Sequence, residues 1–163
     1  MRAQSILIGA LCLVGTTASA QAPNAQPHCV PVGGTVMSNF ISQTRTLGTA
    51  TGDLSGAVSA DLLGATPGAD GTLAFSVEHH WVTESGDRVD TALPLTAVTK
   101  EISPGVFAVV SYEVRIQGGT GKYAGAIGTL QTLGEIYYNP SDLDASRTVF
   151  RYSGSVCSSS PLR

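Results

Sequence analysis

Leu73-Ala74-Phe75-Ser76-Val77-Glu78-His79-His80-Trp81-Val82-Thr83 alternates with a period of two. Leu73, Phe75, Val77, His79 and Trp81 fall on one side, and Ala74, Ser76, Glu78 and His80 on the other. Successive side chains of a strand point to opposite faces, so the stretch reads as a β-strand with one apolar face. Outward from it, strand signals recur at short intervals, separated by Gly, Pro, Asn or Asp. Upstream, residues 36–46 form one run and residues 54–63 another, the latter with Leu54, Val58, Ala60 and Leu62 on its apolar side. Residues 65–71 hold Pro67, Gly68 and Gly71 and read as a turn. Downstream, Glu84-Ser85-Gly86-Asp87 reads as a hairpin turn and residues 88–99 as the next run, with Pro94 marking a bulge or an edge. Ser103-Pro104-Gly105 turns the chain again.

Residues 106–117 repeat the alternation, placing Val106, Ala108, Val110, Tyr112, Val114 and Ile116 on one face. Residues 127–138 and 148–156 complete the set, the last with Thr148, Phe150, Tyr152 and Val156 together. Gly and β-branched residues argue against long helices, and only residues 141–146 read as a short one. Seven or eight strands, each with one apolar face, indicate a sandwich or a barrel.

Residues 1–20 read as a secretory signal peptide. Arg2 supplies the charged start, residues 6–15 the apolar middle, and Ala18-Ser19-Ala20 a small-residue cleavage site before Gln21. That apolar run is shorter than the roughly 20 residues of a membrane span. Cys12 follows Leu11 rather than a small residue, which disfavours a lipoprotein site. Residues 21–27 read as a flexible leader and 28–163 as one β domain. The expected location is secreted or periplasmic, with no membrane insertion after cleavage.

Only Arg2 of the 9 Lys and Arg lies in the signal, so its loss moves the formal net charge from −3 to −4. No basic stripe is present, which excludes electrostatic binding of nucleic acid. Cys29 and Cys157 remain after cleavage. An even count in an exported chain favours a disulfide. It would bring the first and last strands together, as a rolled sheet does. Two buried free thiols, or a zinc site with only His28 nearby, are the alternatives.

The most specific motif is Ile116-Gln117-Gly118-Gly119-Thr120-Gly121-Lys122-Tyr123-Ala124-Gly125-Ala126-Ile127-Gly128. A phosphate-binding loop needs Gly where Ile116 stands and Ser or Thr where Tyr123 stands. A dinucleotide fingerprint must open a helix, whereas strand-like residues follow here. Gly118, Gly119, Gly121 and Gly125 are therefore read as a structural turn. This stretch, with Arg115 and Glu113 before it, resembles the β-barrel family of plant allene oxide cyclases and dirigent proteins and their exported bacterial relatives. The close match covers about 20 residues. The resemblance implies a single closed antiparallel eight-stranded β-barrel whose lumen holds a mostly apolar small molecule. In the cyclases the lumen folds a fatty-acid epoxide into a ring, and in the dirigent proteins it orients phenoxy radicals. No catalytic residue is carried over, because the other segments of either activity are absent.

If the apolar faces point inward, His79, Trp81, Tyr112 and Tyr152 reach the lumen, with Tyr138 on a strand of ambiguous phase. Aromatics and one imidazole suit a flat or apolar ligand with a single polar handle. The imidazole is also a candidate proton shuttle, although a lone His on an apolar face is more often a core residue. Glu78 and His80 share the outer face without a third ligand. No metal or cofactor is expected. No strand-to-helix nucleophile turn accompanies the Ser, His and Asp residues, so a hydrolase triad is not indicated. Three functions remain: a lumenal binder of an apolar or aromatic molecule, a cyclase or isomerase, or a structural module with a filled barrel. A homo-oligomer is a further expectation.

Overall fold

The computed structural model describes residues 27–159 and 161–162. The signal peptide read at 1–20 and nearly all of the leader lie outside them. The described chain forms nine β segments: β1 (His28–Ser42), β2 (Arg45–Gly52), β3 (Gly56–Pro67), β4 (Thr72–Thr83), β5 (Arg88–Thr91), β6 (Leu95–Ser103), β7 (Val106–Gly119), β8 (Ile127–Tyr137) and β9 (Arg147–Ser158). Each pairs antiparallel with its neighbours, and the ladders β3–β4 and β1–β9 close the sheet on itself. β5 and β6 share one place between β4 and β7, separated at Leu93–Pro94. The ring therefore has eight positions, and the fold is a closed eight-stranded antiparallel barrel. Closure leaves no long sheet edge to be covered. Among the described residues, no helix is long and apolar enough to cross a membrane.

The chain ends meet as the barrel requires. Cys29 lies directly opposite Cys157 in the β1–β9 ladder, and the two form a disulfide. The thiol and zinc alternatives fall with it.

One end of the barrel is sealed. Leu54, Val89, Leu130, Val156 and Ala126 are almost wholly buried there. The turn after β7 crosses this end as a single 3-10 turn, Gly121–Tyr123, and Tyr123 is buried beneath it. Gly118, Gly119, Gly121 and Gly125 all have positive φ. Two of them also lack space. A Cβ on Gly119 would lie 2.0 Å from the Arg88 carbonyl oxygen, and one on Gly121 would lie 1.8 Å from Asp87 Oδ1. The motif lets the end of β7 and the turn after it lie in close contact with the β4–β5 hairpin.

Several readings of the sequence need correction. Residues 36–46 are not one strand, because the chain reverses at Gln43 and Thr44, where the Ser42 hydroxyl accepts the Thr44 N–H at 3.3 Å. Leu54 belongs to the turn before β3, folded under the sealed end, and β3 continues to Pro67. Residues 141–146 form no helix. Asn139, Asp142 and Ser146 instead bond nearby backbone groups, with Ser141 N–H donating to Asn139, Ala145 N–H to Asp142 and Asn139 N–H to Ser146. Such local bonds compete with helical ones.

The most consequential correction is in β7. Val98 pairs with Ser111 and Thr99 with Val109, so Val110 is an extra residue bulged out of the ladder. It is 56 % exposed, while Val109 and Tyr112 on either side of the bulge are buried. A bulge reverses the inward phase. Phe107 and Val109 point inward before it, and Tyr112, Val114 and Ile116 after it. Val106, Ala108 and Val110 do not belong to the inner face.

Candidate functional site

Above the sealed end the barrel is hollow. A cavity of about 330 Å³ runs from Trp81 and Tyr152 to the mouth, where Phe40, Gln43, Leu73 and Tyr138 lie. Its floor is a hydrogen-bonded knot. Tyr152 Oη donates to the Thr51 carbonyl at 2.8 Å and accepts the Leu54 N–H at 3.0 Å. Trp81 Nε1 donates to the Leu54 carbonyl at 2.8 Å, and its ring meets that of Tyr152 edge-on at 5.5 Å. The end of β2 and the turn after it are thus held by two aromatic side chains, Tyr152 from β9 and Trp81 from β4. Replacing Tyr152 by Phe strands the buried Leu54 N–H. We expect a loss of about 2 kcal/mol in chemical denaturation, the usual scale for an unmet buried donor; an unchanged midpoint would show that the knot does not hold the floor.

Halfway up, Tyr112 Oη and His79 Nε2 are 2.7 Å apart, with the rings edge-on at 5.7 Å. Burial drives the His79 pKa down to about 4, with the nearby His80 charge adding to the effect. The imidazole is therefore neutral at pH 7. Burial also raises the Tyr112 pKa, keeping the phenol protonated. His79 Nδ1 is buried and has no hydrogen-bond partner. Across the lumen, Ser38 and Thr148 hydroxyls share a hydrogen bond of 2.7 Å. Nearer the mouth, Phe75 meets Phe107 at 6.5 Å and Phe40 meets Tyr138 at 5.1 Å. No Asp, Glu, Lys or Arg is among the residues lining the cavity.

All five residues named as pocket candidates, His79, Trp81, Tyr112, Tyr138 and Tyr152, line this cavity. The phase of β8 is settled by its ladder with β9: Leu130, Thr132 and Ile136 face inward, and Tyr138, one residue past its end, also lines the cavity. Tyr137 faces outward, where it bonds Glu135 and stacks under Arg147. The sequence reading missed the phenylalanines as site residues. All four in the chain, Phe40, Phe75, Phe107 and Phe150, line the cavity. Alternation alone marks Phe75 and Phe150, but Phe107 is concealed by the bulge at Val110.

Outside the barrel, His80 lies 3.2 Å from Asp61, which also pairs with Arg45 at 2.5 Å. That bond holds the Asp61 carboxyl below the usual range. Among the described residues no group of three or more His, Cys, Asp or Glu is placed to hold a metal ion.

Among solved structures, the chain is similar to two pterocarpan synthase dirigent proteins, each at 15% identity. One match covers 88% of this chain and 98% of that one, with a TM-score of 0.32. The other covers 79% and 94%, with a TM-score of 0.30. No family model matches the sequence. No curated protein matches it either. The barrel rests on the strand ladders themselves rather than on these likenesses.

Proposed function

We propose that this chain is an exported binding protein that holds one uncharged apolar or aromatic small molecule inside its barrel. The observation that carries this reading is the hollow lumen. Side chains that would pack against one another in a filled barrel, Phe40, Phe75, Phe107 and Phe150 among them, are only half-buried and surround about 330 Å³ of space. Lumens of this volume and lining suit a small ligand of two or three rings. The filled-barrel reading has no such space. The signal-like residues 1–20 and the disulfide support export to an oxidising compartment.

A second reading, a cyclase or isomerase, draws on the buried pair His79–Tyr112. A neutral imidazole beside a phenol can relay a proton. Yet the lumen offers no carboxylate or amine to act as a partner base. Binding therefore stands ahead of turnover.

The chain's single tryptophan, Trp81, lines the cavity and reports on its contents. Titration with N-phenyl-1-naphthylamine, a neutral dye that accepts tryptophan emission, is expected to give saturable energy transfer from Trp81. Ala60 also lines the lumen, and Ala60→Phe should abolish the transfer without lowering the melting temperature. Energy transfer that never saturates, or that persists in Ala60→Phe, would refute the reading. Native mass spectrometry of protein from its own source then searches for the retained molecule.

A further inference from the structure

We propose that the Tyr112 hydroxyl is the donor by which the lumen selects its ligand, and that the ligand is an uncharged molecule presenting a carbonyl or ether oxygen. The inference rests on the binding reading above and narrows it to a chemical class.

One proton lies between Tyr112 Oη and His79 Nε2. Two arrangements satisfy the 2.7 Å contact. In the first, Tyr112 O–H donates to Nε2, and the ring proton sits on Nδ1. In the second, Nε2–H donates to the phenol oxygen, and Nδ1 carries only a lone pair. Nδ1 is buried and unpartnered in either case. Each arrangement leaves one donor hydrogen without a protein acceptor, on the sealed Nδ1 in the first and on the hydroxyl of the cavity-lining Tyr112 in the second, and a donor sealed away from any ligand or solvent is the costlier orphan. The second arrangement is therefore favoured. It leaves the Tyr112 hydrogen without an acceptor, because His79 is the only hydrogen-bond partner of that hydroxyl among the described residues. Tyr112 lines the cavity, so the free O–H has the lumen in which to find one.

The surroundings restrict what that acceptor is. A phenolic donor meets a ketone, quinone, lactone or ether oxygen directly. A carboxylate would also accept the bond, but its charge would be buried with no Lys, Arg or protonated His beside it. Such burial is strongly disfavoured. The cavity-lining residues flanking the pair, Val77 on β4, Ala97 on β6 and Val114 on β7, are apolar. A ligand oxygen there is held by one directed bond amid apolar contact.

Three naphthalenes of similar shape test this by displacing N-phenyl-1-naphthylamine: 2-acetylnaphthalene, 2-ethylnaphthalene and 2-naphthoate. In Tyr112→Phe, the affinity of the acetyl compound relative to the ethyl compound should fall about five- to tenfold from its wild-type ratio, the scale of one neutral hydrogen bond. At pH 7 the naphthoate should bind at least about a hundredfold more weakly than the acetyl compound, as an unpaired buried charge requires. Should Tyr112→Phe fail to fold, the wild-type protein still decides. The infrared carbonyl stretch of bound 2-acetylnaphthalene should lie below its position in cyclohexane. An unshifted stretch, an unchanged ratio, or naphthoate binding as tightly as the ketone would overturn this inference and leave the binding reading intact. Failure of the dye and of all three naphthalenes to bind would overturn both.

Discussion

Replacing Cys29 and Cys157 together by serine is expected to lower the unfolding free energy by about 4 kcal/mol. The two residues are 128 apart in sequence, so their bond closes nearly the whole described chain into one loop. In the chain-entropy model a loop of that length restricts the unfolded ensemble by about 5 kcal/mol, and measured effects commonly fall below the model. The folded state contributes little to the difference. β1 and β9 are already joined along twelve paired positions, from His28 opposite Ser158 to Asn39 opposite Arg147. The ladder therefore persists in the variant, and the barrel still closes. Because the effect acts through the unfolded chain, it should leave a second mark: the urea m-value rises as the unlinked chain exposes more surface. Equilibrium urea denaturation of the oxidised protein and the double variant measures both quantities. A loss below about 1 kcal/mol would mean that the unfolded chain is compact without the link.

The second large effect is a dependence of stability on pH. His79 has a folded pKa of about 4, below the ordinary 6.5, because burial disfavours its charged form. The unfolded chain thus binds a proton that the folded one refuses between those two values. Stability is then full above about pH 6.5, declines as the pH falls, and levels off below about pH 4. The gap corresponds to about 3 kcal/mol. Asp61 and Asp90, whose carboxyls are held low by bonds from Arg45 and Arg88, also lose stabilisation on acidification, but below the usual carboxylate range. The two windows are therefore separable. His79→Gln keeps a side chain able to bond Tyr112 and removes the titration. Denaturation midpoints from pH 7 to 4.5 should fall steeply in the native protein and stay nearly level in this variant. Equal slopes would show that the imidazole is not the group responsible.

These expectations draw unequally on sequence and structure. The strand at 72–83 was legible because its alternation is unbroken, and it named His79 and Trp81 as lumen residues directly. Tyr152 was legible for the same reason in β9. The phase of β8 was not, because both Tyr137 and Tyr138 are aromatic and half-buried; only pairing with β9 separates the outward ring from the inward one. In β7 the alternation was misleading. Val106, Ala108 and Val110 continue the period of two without a break, so nothing local records the bulge. It arises where β7 must match β6, and it exchanges Val110 for Phe107 on the inner wall.

Local chemistry thus determined that the chain is a set of short antiparallel strands, that its glycine motif is a turn, and that Cys29 and Cys157 favour pairing. Period-two patterning and turn residues act over neighbouring positions, and one chain carries them in full. That the barrel is hollow, that Tyr112 meets His79, and that no charge enters the lumen were decided only by tertiary structure. Each depends on residues brought together from separate strands, through ladders whose register and bulges are set by the partner strand as much as by the strand itself.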